Sequence, residues 1–347
     1  MHKEICINNK PCELMKAFCK PKYGSRAVLT DSCWEYVALF LKRQSSAGAK
    51  DALMYWNQAQ SFYMASQSLP DSAKPLTSYY CVLNATKALL RFKGVKEEQL
   101  KNHGLSSVRA ENSKTNIKET YTKIKGAGVL PELSRYFGYN LLVKKYSLAD
   151  LLYNIPCIHR AYCITFSKPE IFVPIENPIF VKKENSREAW IKFVVKGRHA
   201  NAKALKMLPA VFEHDLGVKN EYTIRMKKRF QWDVHVSLEE RKRILNKYHE
   251  KSRAYLYCIH GNRKLWYVKK RIVGNEELSA MPSLVPIFAS FHWISELVRY
   301  NPKLFEKYMR SKQNWLLHEF ISIALDQFVD EISSEITGED ILCTGYR

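Results

Sequence analysis

The stretch Pro75–Arg109, PLTSYYCVLNATKALLRFKGVKEEQLKNHGLSSVR, carries the clearest local signals in the chain. Pro75 suits a first helical turn, where its missing N–H would have no intrahelical partner in any case. Tyr80, Leu83, Ala88 and Leu90 recur at helical spacing, and the small Ala85 and Ala88 leave room for a second helix. Gly94 is placed to end this helix in a left-handed conformation. Tyr79, Asn84 and Lys87 can lie along one side of it, and a compact polar turn with His103, Gly104 and Arg109 follows. These groups mark a place without announcing a reaction.

Upstream, Asp31 can cap a helix in which Trp34, Tyr36, Val37, Leu39, Phe40 and Leu41 supply apolar contacts. A second helix is expected from Asp51 to Ser66, with Leu53, Trp56, Ala59, Phe62 and Tyr63 forming one apolar stripe. Downstream, the polar segment after Arg109 reads as partly extended. Pro131 starts a short helix to Tyr136, and Leu148–Tyr162 is helical with a break at Pro156.

The texture changes near Cys163. The runs YCITF, EIFVPI, PIFVKK and AWIKFVV read as strands, punctuated by Pro169, Pro174 and Pro178. HANAKALKMLPAVFEHD reads as a helix. YTIRMKKRFQW, RAYLYCIH and KLWYVKKRIV read as further strands, the last two joined by a turn at His260, Gly261 and Asn262. From Met281 the pattern is helical again, with Asn301–Pro302 as punctuation and Asn314 as a cap for the last helix. The expected fold is therefore α+β. Residues 1–162 and 281–347 form one helical scaffold, with the C-terminal helices packing on the N-terminal part, and 163–280 is a β-rich insert.

A chain of 347 residues can bury a substantial core in one or two domains. It has no run of eighteen apolar residues and no apolar segment of a signal peptide, which predicts a cytoplasmic protein without a membrane partner. Nine cysteines are irregularly spaced, and Cys6, Cys12, Cys19 and Cys33 do not match a zinc ribbon or finger. Reduced, mostly buried thiols are expected, with no metal and no cofactor. Walker A, dinucleotide-binding glycine, HExxH, CxxC and GxSxG patterns are all absent.

The net charge is +21, and it is concentrated: Lys182–Arg271 holds 24 Lys and Arg against 9 Asp and Glu. Such a surplus favours polyanions over neutral partners. Arg225, Lys227, Lys228, Arg229, Arg241, Lys242 and Arg243 are the candidate phosphate contacts, and alternation would put Arg225, Lys227 and Arg229 on one strand face. Tyr222, Trp232, Tyr255, Tyr257 and Trp266 are available for base stacking if exposed. A basic, solvated surface without a partner is the competing reading.

KPLTSYYCVLNATKALL, NHGLSSVR and GAGVLPELSRYFG, together with the later FHWISELVRYNPKLFEKY, resemble the bacterial YaaC-like family. The resemblance covers most of the helical parts in order and the basic insert poorly. It implies a mainly helical, cytoplasmic bacterial protein with no firmly assigned reaction. The helical part also looks distantly like the HEPN class, many of whose members act in RNA cleavage or prokaryotic conflict systems.

HEPN ribonucleases use an Arg and a His separated by four to six intervening residues on one helix. The matching pairs here are Arg229/His235, Arg243/His249 and Arg253/His260, and only Arg243/His249 falls on an expected helix. In the turn, Arg109 could bind an anion while His103 moves a proton, with Asn84 and Lys87 facing the same pocket. The alternative is structural, with His103 capping the turn and Arg109 paired to a carboxylate. His292, Glu296 and Arg299 share a helix side, either as a buried polar network or as part of a site. Three functions remain open at this level. They are nucleic-acid binding within a prokaryotic antiviral defence or stress system, a metal-independent ribonuclease or toxin effector, and an interaction subunit with a protein partner encoded alongside it.

Overall fold

The computed structural model describes residues 2–108, 116–217, 221–261, 263–272 and 276–343. Its α-helices in chain order are α1 Cys33–Lys42, α2 Ala47–Gln67, α3 Lys74–Phe92, α4 Val129–Tyr136, α5 Leu148–Tyr153, α6 His159–Phe166, α7 Ala202–Met207, α8 Leu238–Arg253, α9 Glu276–Ser279, α10 Leu284–Tyr300, α11 Pro302–Met309 and α12 Asn314–Thr337. The strands are β1 His2–Glu4, β2 Cys6–Ile7, β3 Lys10–Pro11, β4 Val28–Thr30, β5 Leu105–Val108, β6 Tyr121–Ile124, β7 Lys145–Ser147, β8 Phe172–Lys183, β9 Glu188–Val194, β10 Phe212–His214, β11 Thr223–Met226, β12 Phe230–Gln231, β13 Leu256–Ile259, β14 Leu265–Lys269 and β15 Ile341–Cys343. The fold is α+β. Among the described residues no helix is long and apolar enough to cross a membrane.

The chain divides into two units. The helical unit holds Thr30–Glu170 and Met281–Thr337; the β-rich unit holds Met1–Leu29, Ile171–Ala280 and Gly338–Thr344. The helical unit is built around α3, which packs on α2, α4, α10 and α12. Cys81, Val82, Ala85, Ala88, Leu89 and Leu90 are wholly buried along it. The helix closes as its sequence demands. Gly94 takes φ +90°, and the N–H groups of Gly94 and Val95 donate back to Arg91 and Leu90, a Schellman cap. Beside it, the Trp56 ring on α2 packs at a tilt against Trp34, with centroids 4.5 Å apart, and donates its indole N–H to the Trp34 carbonyl at 3.0 Å. Ser32 and Ser46 cap α1 and α2 through their hydroxyls, so the cap of α1 lies one residue after the expected Asp31. A small antiparallel sheet in the order β5-β6-β7 completes the unit.

The β-rich unit is an antiparallel sheet in the order β10-β11-β9-β8-β14-β13, with β1 added on β8 and β12 on β9. The long strand β8 changes partners along its length: Phe172–Ile175 pair with β14, and Ile179–Lys182 pair with β9. Pro178 sits in the register break between Glu176 and Ile179, where its lack of an N–H does no harm, and its carbonyl accepts from Leu14. Phe180, Trp190, Ile191, Phe193 and Val268 fill the core under the sheet.

Several boundaries differ from the sequence reading. YCITF is the end of helix α6, not a strand, and the insert starts at Ile171 rather than 163. The first 29 residues belong to the β-rich unit. β1 pairs with the end of β8, and the Lys16 ammonium donates to the Ile341 carbonyl at 2.6 Å. The expected helix after Asn201 stops at Met207, before Pro209, and the chain returns as β10. β11 ends at Met226 and β12 begins at Phe230, so Arg225, Lys227 and Arg229 do not continue one strand face.

Candidate functional site

In the helical unit, three segments bring chemistry together. α3 supplies Tyr79 and Lys87, the β5–β6 pair supplies His103 and Lys125, and α10 supplies His292, Glu296 and Arg299. The junction is fixed by backbone. Gly104 and Gly128 both take positive φ, +85° and +123°, and approach so closely that a side chain on Gly128 would strike Gly104. The Gly104 carbonyl accepts from the Lys125 N–H at 2.9 Å, and the His103 carbonyl accepts from Leu130 at 3.1 Å, at the start of α4. This is the physical content of pairing NHGLSS with GAGVLP.

The side chains converge accordingly. The Tyr79 hydroxyl and His103 Nδ1 are hydrogen-bonded. The His292 ring meets Tyr79 edge-on at 5.2 Å and lies 6.1 Å from His103. His292 Nε2 is 3.9 Å from Glu296 Oε1, and its Nδ1 is buried without a protein hydrogen-bond partner. Burial pushes the Tyr79 hydroxyl well above its ordinary pKa, so the phenol keeps its proton. Burial also lowers His103, helped by Lys87, and brings His292 down to about 4. Both imidazoles are therefore neutral near pH 7.

Of the remaining candidates here, Asn84 is turned onto its own helix, donating to the Tyr80 carbonyl at 2.8 Å. Lys87 lies over the Tyr55 ring and Arg299 over Tyr300. Arg109 lies outside the described residues. Lys125 was not anticipated, because only the pairing of β6 with β5 brings it beside Gly104.

The model of the YaaC-like Protein family matches residues 16–336, most of the chain. The chain belongs to this family. Neither a curated protein nor a solved structure matches it.

In this YaaC-like protein the basic β-rich unit divides its cations into two sets. The first is structural. Arg225 and Arg229 both bind Glu213, at 2.9 and 2.7 Å, and both lie over the buried Trp190 ring. Arg243 grips Glu240 through two bonds, Lys242 pairs with Glu239 at 3.0 Å, and Arg241 lies over Trp232. The second set is exposed and without a carboxylate partner among the described residues. It contains Lys228, which was anticipated, and Lys247 and Lys251, which were not. Lys228 and then burial and Lys247 depress the ammonium of Lys251, so the three are close enough to repel. Lys247 and Lys251 are four residues apart on α8 and so share its surface, a signal the sequence did contain. Lys227 is exposed beside Lys228.

Other expectations are corrected by burial. His249 is fully buried: its Nδ1 accepts from the Tyr23 hydroxyl at 2.6 Å and its Nε2 donates to the Ala17 carbonyl at 2.8 Å. Burial takes it down to about 3. It is a core histidine, and Arg243 on the same helix is exposed, so the two do not share a solvent-facing site. Arg253 is also buried, bonded to the Lys16 and Leu256 carbonyls. Trp232, Tyr257 and Trp266 are buried and closed to stacking, whereas Tyr222 and Tyr255 are half-buried. Among the described residues no group of three or more His, Cys, Asp or Glu is placed to hold a metal ion.

Proposed function

We propose that this YaaC-like protein binds the phosphate backbone of a nucleic acid through the basic surface around α8. The observation that carries the reading is the cluster of Lys228, Lys247 and Lys251, exposed and near enough for Lys228 and Lys247 to act on the Lys251 ammonium. Like charges gathered on a surface destabilise the free protein slightly, and a polyanion relieves that repulsion while releasing its own counterions. Lys227 and the exposed pair Arg243–Glu240 border the same stretch of chain. Arg225 and Arg229 serve instead to hold β11 and β12 on Trp190 and are not phosphate contacts.

Recognition of this kind is independent of base sequence, since most aromatics of the unit are in its core. It suits a component of a prokaryotic defence or stress system. The test is binding of a fluorescent single-stranded oligonucleotide by the full chain and by the triple variant Lys228→Gln, Lys247→Gln, Lys251→Gln. The variant should bind at least about tenfold more weakly, since each lost phosphate contact removes one counterion-release contribution. Equal binding by both proteins, or none by the native chain at low salt, would refute the proposal. Cleavage of RNA by the purified protein would favour the ribonuclease reading, and a co-purifying protein with no nucleic-acid affinity would favour the interaction subunit.

A further inference from the structure

The helical unit holds a second feature that the proposed nucleic-acid surface does not use. His292 is a buried polar side chain whose Nδ1 finds no protein partner, and it lies against Tyr79 and His103. A buried ring nitrogen left unbonded loses its hydration without compensation, which is rare unless something else occupies the place. His103 has its Nδ1 committed to Tyr79, which leaves Nε2 as the ring nitrogen available to a ligand.

Around the two imidazoles the charges are unbalanced. Lys87 from α3, Lys125 from the end of β6 and Arg299 from α10 all act on His103, and none of them pairs with a carboxylate among the described residues. Glu296 on α10 is the carboxylate that faces the histidines, 3.9 Å from His292. Three cations to one anion leaves a site poised for a doubly charged ligand. Lys125 and Arg299 are exposed, and Lys87 and His103 are half-exposed, so the group is open to solvent while His292 is not.

We propose that Tyr79, His103 and His292, with Lys87, Lys125 and Arg299, form a binding site for a dianionic phosphate, either the free ion or a terminal monoester. His103 Nε2 donates to the phosphate and Lys87 and Arg299 neutralise it. Tyr79 positions the His103 ring. Guanidinium and ammonium groups are the standard partners of phosphate, and imidazole N–H adds a donor whose strength rises on protonation. Burial, and then Lys87, Arg299 and Lys125, disfavour the charged form of His103; a bound dianion offsets the cations, so binding raises the His103 pKa.

The experiment follows the His103 ring resonances of the full chain by NMR near neutral pH while inorganic phosphate, methyl phosphate or dimethyl phosphate is added. Saturable shifts with inorganic phosphate or methyl phosphate, accompanied by an upward move of the His103 titration, are expected. Saturation by inorganic phosphate alone assigns the free ion, and saturation by methyl phosphate at least as tightly assigns a monoester; either supports the site. Lys87→Met and Arg299→Met, both outside the core, should each weaken binding by roughly tenfold. Lys228→Gln in the other unit should leave it unchanged, which separates this site from the proposed nucleic-acid surface. Shifts that never saturate, dimethyl phosphate binding as tightly as methyl phosphate, or affinity untouched in both Lys87→Met and Arg299→Met would overturn the proposal.

Discussion

Tyr79 and His103, twenty-four residues apart in the chain, share a hydrogen bond between the phenol oxygen and imidazole Nδ1. The bond joins the central helix α3 to the turn that opens β5, and it fixes which ring nitrogen of His103 faces outward. Tyr79→Phe should therefore cost only about 1 kcal/mol of stability, the usual net worth of one hydrogen bond. Its sharper effect is on the ring. The tautomer balance of neutral His103, which this bond helps to set, should shift, visible in the imidazole nitrogen shifts.

Gly104 and Gly128 test how the same turn is built. Both have positive φ, and a β-carbon on either would strike the other loop. Gly128→Ala should destabilise by roughly 2–4 kcal/mol, combining backbone strain with a clash against Gly104 backbone. Gly94→Ala makes a useful contrast. It has positive φ but nothing within 4 Å, so urea denaturation should show a smaller loss, from strain alone.

The acid limb of stability should report His249. Its folded pKa of about 3 lies below the ordinary 6.5, because burial disfavours the imidazolium. The unfolded chain takes the proton first, so this contribution is complete above pH 6.5 and drains as pH falls toward 3. The loss is of the order of 4 kcal/mol at the acid end. Chemical denaturation across this range should show His249→Gln with a flatter acid limb than the native chain, on top of a lower stability throughout.

Lys269 is the alkaline counterpart. It is fully buried on β14, donates to the Leu278 carbonyl, and is brought down from 10.5 to about 7 by burial. The unfolded state holds the proton that the folded state has released, so stability rises with pH between about 7 and 10.5 and is lost again as pH falls through 7. Lys269→Met removes that slope. Parallel slopes for the two proteins would show that this ammonium does not titrate in the fold.

The helical architecture was open to reading because α2, α3 and α12 carry long apolar stripes, with Pro75 and Gly94 bounding α3, although α2 starts at Ala47 under its Ser46 cap, ahead of the expected Asp51. The resemblance to the YaaC-like family came from the same residues. Short elements were less legible. YCITF has strand propensity but completes α6, where His159 and Cys163 meet at 3.2 Å one turn apart. The N-terminal 29 residues gave no sign of joining a sheet whose partner strand lies far along the chain, His2 pairing with Lys183, since β1 is only three residues long. The candidate site was half visible. One-side spacing placed His292, Glu296 and Arg299 together, and Tyr79 with Lys87, but only the packing of α10 on α3 and β5 joined the two groups. In the basic insert, charge density was legible and its use was not. Sequence cannot tell cations tied to Glu213, as Arg225 and Arg229 are, from Lys247 and Lys251, which have no carboxylate partner among the described residues.

The most direct measurement for the central claim is the salt dependence of nucleic-acid binding. Affinity for a single-stranded oligonucleotide should fall linearly on a logarithmic plot against salt, with a slope of about −0.7 for each phosphate neutralised. Replacing Lys228, Lys247 and Lys251 by Gln should reduce that slope by roughly 2. Arg225→Gln should instead lower stability through its contact with Glu213 and leave the slope nearly unchanged. A slope identical in the native chain and the triple-lysine variant would contradict the account.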